Sequence, residues 1–481
     1  MPTFAVSFPT IEFTFFFVLT ATISWLLRRH RTSQKVFLLV ASYFFYAKWD
    51  LRLLSLLAGV SLVDWAFAEV LVRLRAPAAR RAVAFLGITF NVGVLCVFKL
   101  YDFFRASVSS FAGFLGLSAH LPILEILLPV GISFYTFQGI AYLVDTYRGT
   151  AYRPRSLLDF LLFMAFFPKL LAGPICRSHE LLPQIGGESP ENVPDPSRAI
   201  ALITSGLFKK MVLASLLATH LVDDAFGLPA SYSSLELLIA VYAYTAQIYL
   251  DFSGYTDLAR GLALLLGFEI PENFRYPYAA TNIGEYWNRW HITFSTWLRD
   301  YIYFPLGGSR RSKSRTYLNL ILTFLVCGIW HGSQWTYVIW GLAHGVGLAV
   351  FKLSLDLRRA WGLDPYRRRS WAWAVAGWFV TLNFCAFVRI PFKSADLEVT
   401  GEFFRGLAQL TARGHGIDPV VVGVTVLTIA MNFVGRPIFE AFVRGHARLP
   451  ALARPLAWAT IGLVMLTIKT RDVAPYIYFG F

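Results

Sequence analysis

Charge is what this sequence has least of. Asp, Glu, Lys and Arg make up 15% of its 481 residues, where a soluble domain carries about a quarter. Together with a hydrophobic share of 56%, that shortage argues against a soluble enzyme and for a membrane protein. Cysteine is scarce too. Cys96, Cys176, Cys327 and Cys385 all lie in or beside apolar runs and none are in C-x-x-C spacing. They read as small buried hydrophobes, which leaves no disulfide or zinc framework. No H-E-x-x-H occurs and no two histidines stand at i, i+4, so no metal site is expected. G-x-S-x-G is missing, since "DFSGYTD" (251–257) lacks the first glycine of that elbow. No phosphate-binding loop opens a helix. What remains is a chain with histidines and no evident serine or cysteine nucleophile, which suits a base acting on a hydroxyl or thiol brought by another molecule.

Apolar runs are plentiful. They fall near residues 8–27, 36–50, 52–71, 82–104, 121–145, 157–175, 199–221, 235–252, 318–331, 334–352, 371–392, 418–434 and 456–470. Several are shorter than the roughly 20 residues of a straight crossing, so re-entrant segments are expected and the membrane segments number about 10–13. The first run leads into "LRRHRTSQK" without a secretory leader pattern and reads as a retained span with its basic end in the cytoplasm. Basic clusters at 73–81, 148–155, 309–315 and 366–370 fit the same frame. The net charge of +15 is then positive-inside bias and not a nucleic-acid surface. The longest polar stretch, 177–198, reads as one loop, and a single membrane domain over 1–481 is expected.

The segment 269–317 is too polar for a simple span and dense in aromatic residues. From Gly284 to Phe304 the spacing of Trp287, His291, Phe294 and Leu298 predicts one helix with these four on a shared face. His331, in "FLVCGIWHGSQWTYVIW" (324–340), stands between two apolar runs that form a hairpin. From Tyr317 a helix rises about 21 Å to it, well inside a ~30 Å core. Gly332 is expected to supply a tight turn. His331 is either a structural histidine bonded to a neighbouring helix or a general base, for which a neutral imidazole is suited. His291 carries the same two readings, with Arg289 and Asp300 as possible partners in a polar cluster. His344 reads as packing, His30, His179, His415 and His446 as solvated, and His120 and His220 as lying at run ends.

The run "EYWNRWHITFSTWLRDYIYFPLGGSRRSKSRTYLNLILTFLVCGIWHGSQWTYVIWGLAHG" resembles the membrane-bound O-acyltransferase superfamily. It looks most like the bacterial polysaccharide branch typified by the alginate O-acetylation membrane subunit. "LPVGISFYTFQGIAYLVDTYRG", "FFPKLLAGPICR", "GLFKKMVLA", "YLDFSGYTDLARGLALLLGFEIPENF" and the final "APYIYFGF" extend the resemblance over most of the chain. It implies an all-α polytopic fold: a ring of transmembrane helices around a central tunnel, a core near 120–355, and C-terminal helices with an aromatic tail at 371–481. It also implies that His331 is the catalytic histidine and His291 the second functional polar position, with Trp287, Asn288, Trp330, Arg299 and Asp300 around the tunnel. Acetyl-CoA is the implied cytoplasmic donor, with no cofactor held. Arg275, Arg310, Arg311 and Lys313 are candidates for its phosphates, or are plain cytoplasmic loop charge. The acetyl group would cross a bacterial inner membrane to a periplasmic O-acetyltransferase partner within an exopolysaccharide acetylation and secretion complex. The tail's Y-I-Y-x-x-F pattern makes Tyr478 a candidate acyl carrier; its other reading is an interface anchor. Competing classes are a transporter relaying protons through Asp64, Asp145, Asp251 and Asp257, and a non-catalytic scaffold for the periplasmic enzyme.

Overall fold

The computed structural model describes residues 10–117, 122, 128–332, 334–364, 370–411, 414, 416–450 and, nearer the C-terminus, 452–454, 456, 458 and 460–462. Tyr478, His120 and His415 lie outside the described residues. Among those described there are helices and no strand, so the chain is all-α.

Among the described residues, six helical stretches are long and apolar enough to cross a membrane: Leu51–Arg73, Pro77–Phe114, Pro196–Gly227, Trp335–Ala360, Trp371–Lys393 and Pro419–Arg448. Ile11–Leu26 is apolar but shorter. Within the six, only 22–50% of each apolar window is buried in protein. The remaining apolar surface faces outward, which only a lipid environment satisfies. The protein is thus a multi-pass membrane protein.

The chain forms two compact units, residues 1–207 with 255–272, and residues 208–254 with 273–481. In the first, the run 157–175 is not one span. Ser156 caps Leu157–Ala165 by accepting from the Asp159 amide, and the helix stops at Phe166, whose ψ of 106° is non-helical. This unit buries several polar pairs. Asn91 donates to Asp64 at 2.6 Å, and Lys35 meets Asp159 at 2.7 Å.

The second unit holds the histidine hairpin, Lys313–His331 followed by Trp335–Ala360. Ser312 caps the first helix by accepting from the Arg315 amide. Its seam is built on glycines. A Cβ on Gly341 would lie 2.3 Å from the Phe324 carbonyl oxygen, and one on Gly328 would lie 2.4 Å from that of Tyr337. Small residues let membrane helices approach backbone to backbone. His446, expected to be solvated, is instead buried near the end of Pro419–Arg448 and bonded by the Trp458 indole N–H at 3.0 Å. The apolar reach of that helix extends further than its sequence run suggested.

Candidate functional site

The predicted helix from Gly284 to Phe304 is not continuous. Ile283–Trp287 and Ile292–Leu298 are separate short helices, followed by a π-helical turn at Arg299–Tyr303. His291 stands at the break with φ of +43°. Residues other than glycine adopt this left-handed conformation at a cost, and do so mostly where surrounding bonds enforce it. Here the Ile292 amide donates to the Asn273 carbonyl, and the Arg275 amide to that of Arg289, both at 2.9 Å. The 273–275 strand of loop thus takes hydrogen bonds that a continuous helix would have kept. Trp287 and His291 therefore do not share a helical face.

His291 is 1% exposed. Its Nδ1 lies 3.1 Å from Asn273 Oδ1. The same oxygen accepts from the Thr293 amide at 3.1 Å and from the Thr293 hydroxyl at 2.9 Å. The ring meets Phe252 edge-on at 4.6 Å and Phe294 at 5.0 Å. His291 is outside the six spanning helices, and burial pushes its imidazole down to about 3, so it is neutral at ordinary pH.

His331 is the last residue of its helix and is 5% exposed. Its ring lies 4.5 Å from Trp330, 4.9 Å from Trp340 and 5.0 Å from Phe392. Phe294 is 6.2 Å away. One phenyl ring therefore touches both imidazoles, and their separation cannot exceed the sum of the two distances. Gly332 is extended, with φ of −175°, so no special torsion requires it. Space does: a Cβ there would lie 2.2 Å from the Tyr337 ring. Gly332 lies in the short connection between Lys313–His331 and Trp335–Ala360, and what that connection uses is its lack of bulk, not a special torsion.

Around this pair sit residues that the sequence indicated and some that it did not. Trp287 packs on Phe324 at 4.7 Å and donates from Nε1 to His344 Nδ1 at 3.3 Å. His344 is thus a bonded member of the aromatic wall as well as packing. Trp330 abuts both His331 and Phe294. Asn288 is exposed at a helix end. Arg299 and Asp300 bond each other at 2.8 Å, with the Arg299 side chain 54% exposed. Arg289 pairs with Glu285 at 2.5 Å. The proposed Arg289–Asp300 cluster is therefore not formed as such. Arg275, Arg310, Arg311 and Lys313 are all exposed.

Two residues escaped the sequence reading. Asn273 lies in "PENF", a stretch that carried no periodic signal. Arg389 is 4% exposed on the short helix Arg389–Lys393, which also delivers Phe392 to His331. It donates to the Tyr286 hydroxyl at 2.5 Å and the Cys385 carbonyl at 3.2 Å. Its guanidinium is 4.9 Å from the Trp290 ring centre and within 6 Å of Tyr278 and Tyr286. An arginine inside an apolar hairpin partner was the available clue. Of the four acids that a proton relay would use, Asp64 takes the Asn91 amide, Asp251 pairs with Lys210, and Asp257 accepts from Ser205 at 3.4 Å.

Two buried histidines thus flank one phenyl ring, walled by tryptophans. The model of the membrane-bound O-acyltransferase family matches residues 151–387, which contain both histidines. The "Probable alginate O-acetylase AlgI" of Pseudomonas putida is 40% identical over 91% of this chain and 89% of its own length. This chain belongs to the membrane-bound O-acyltransferase family. The peptidoglycan O-acetyltransferase of Helicobacter pylori is 34% identical, covering 85% of this chain and 79% of that protein. The teichoic acid D-alanyltransferase of Bacillus subtilis is 29% identical over 54% of this chain and 67% of that protein. The protein is an acyltransferase, similar to the alginate O-acetylases over most of its length.

Proposed function

We propose that this acyltransferase takes an acetyl group from cytoplasmic acetyl-CoA and passes it outward across a bacterial inner membrane, where a periplasmic partner O-acetylates an exopolysaccharide such as alginate. The observation that carries the reading is the placement of His331: buried, at a helix end, in an aromatic box shared with His291. The similarity to alginate and peptidoglycan O-acetylating enzymes supports acetyl as the group and a cell-surface polymer as its destination.

In this reading His331 is the general base. It removes the proton of an acceptor hydroxyl, the hydroxyl oxygen attacks the thioester carbonyl carbon, and the carbon–sulfur bond breaks. The proton then passes from the imidazolium to the leaving thiolate. The exposed Arg275, Arg310, Arg311 and Lys313 receive the phosphates of the donor. The acceptor hydroxyl is that of Tyr478 in the closing aromatic tail, whose phenol needs a base within reach. Retention of full polymer acetylation by Tyr478→Phe would sink that assignment alone.

The deciding experiment uses the purified protein in liposomes, with radiolabelled acetyl-CoA on the cytoplasmic face. Label lost from the donor with wild type and kept with His331→Ala supports the enzyme reading. Equal turnover by both, measured with the periplasmic partner present, overturns it.

A further inference from the structure

Arg389 is a buried cation inside the apolar stretch Trp371–Lys393. Among the described residues its hydrogen-bond partners are both neutral, the Tyr286 hydroxyl and the Cys385 carbonyl. The faces of Trp290, Tyr278 and Tyr286 surround the guanidinium. A ring face attracts a cation but does not cancel its charge. A buried charge without a carboxylate to balance it lowers stability, and a hydrocarbon of similar volume in its place is often neutral or stabilising. Stability therefore does not account for this arginine.

Its position does. The short helix Arg389–Lys393 also carries Phe392, whose ring lies 5.0 Å from His331 and 5.0 Å from Trp340. The guanidinium reaches the segment that carries His291. Trp290, the residue before His291, stacks on Tyr286 with ring centres 5.7 Å apart and planes at 18°. Its amide also donates to the Tyr286 carbonyl at 2.8 Å. The guanidinium bonds the hydroxyl of one of these two rings and faces both. Its Nη1 bond to the Cys385 carbonyl, four residues back, pins it to its own helix. A planar fork with five donors can make these contacts together, whereas a lysine ammonium is a point charge on a flexible stem.

We infer that Arg389 is a positioning residue: it ties the turn before His291 to the helix that sets Phe392 on His331, so that the two imidazoles keep one relative geometry during acyl transfer. This rests on the proposed acetyl transfer with His331 as base. A group that only aligns the reacting partners acts on the rate of the bound complex and leaves donor affinity unchanged. A residue held for that task can lower stability where it sits.

The test compares full-length variants in nanodiscs. Arg389→Met keeps an unbranched side chain and removes the fork with its charge. Its unfolding temperature should equal or exceed that of wild type. Its kcat with acetyl-CoA, measured with the periplasmic partner present, should fall about tenfold at unchanged KM. A lower unfolding temperature, an unchanged kcat or a raised KM overturns the proposal. Arg389→Lys keeps the charge without the fork and should recover little of the rate; full recovery would show that charge alone acts, against the proposal. Tyr286→Phe placed on Arg389→Met should cost no further activity, since the bond it removes is already gone, and additive losses contradict the tie. Histidine labelled with 15N gives a readout without turnover, with His291→Gln and His331→Gln identifying the signals. Both sets should move in Arg389→Met, although neither imidazole is bonded to Arg389 among the described residues. Movement of one alone, or of neither, overturns the proposal. A wild type that leaves acetyl-CoA intact would refute the proposed function, and the melting curves and 15N signals would still decide the role of Arg389.

Discussion

The indole of Trp340 meets the imidazole of His331 edge to face, with ring centres 4.9 Å apart and planes at 85°. Such a contact fixes the ring's rotation as well as its position. With His331 as the proposed base, Trp340→Ala should therefore leave the protein folded but lower acetyl transfer about tenfold or more, since a loose base loses its alignment. His331→Ala should cost on the order of 10²-fold or more. Both are read from donor consumption in liposomes.

Gly332 offers a separation of packing from chemistry. A methyl group there would strike the Tyr337 ring, which packs on Phe392, which in turn packs on His331. Gly332→Ala is expected to lower activity more than thermal stability. Gly332→Ala with Tyr337→Leu should recover part of the loss. No recovery in the double variant would show that the ring relay is irrelevant.

The seam of the hairpin is less forgiving. At Gly341 an added Cβ would meet backbone, not a movable side chain. Gly341→Val should lower the unfolding temperature in detergent and reduce folded yield, whatever its effect on the histidines. An unchanged melting curve would contradict the close helix approach.

Arg389 donates to the Tyr286 hydroxyl in a site with no carboxylate bonded to it among the described residues. Tyr286→Phe removes an acceptor from a buried charge and should destabilise by about 1.5–3 kcal/mol. The Tyr286 and Trp290 rings also face this guanidinium, so the same variant should reduce activity through the turn that carries His291. Thermal unfolding and transfer assays on one preparation check both.

His291 gives a stability that depends on pH. Its folded value is pushed down to about 3, from an ordinary 6.5. Between these values the unfolded chain binds a proton that the folded chain does not, so stability rises with pH across that window. Acidification below about 6.5 should destabilise wild type progressively. In His291→Gln that part of the slope should vanish, and its persistence in a thermal-shift series would show that another group carries it.

Much of this was legible in the residues. The apolar runs at 52–71, 334–352 and 371–392 became Leu51–Arg73, Trp335–Ala360 and Trp371–Lys393, because an uninterrupted apolar stretch in lipid has to be helical. The His331 hairpin was visible for the same reason. The break at His291 was not. Periodicity favoured a helix through Trp287 and Phe294, and only bonds from 273–275, distant from the helical pattern, redirect the backbone. Asn273 was hidden because its role depends on three groups that meet only in the fold. Gly332 was noticed for the wrong property: flexibility was expected, and the structure uses its lack of bulk.

The rings of Trp330, Trp340 and Phe392 around His331 also bear on what the enzyme wastes. In the proposed reaction, a thioester beside His331 acting as base is open to water as well as to its intended acceptor. Aromatic faces packed against the imidazole leave little room for water there. Donor breakdown to free acetate should therefore be slow without an acceptor. Opening the box, as in Phe392→Ala, should raise that leak even where productive transfer falls, so that the ratio of acetate released to acetyl delivered measures how tightly the wall is closed.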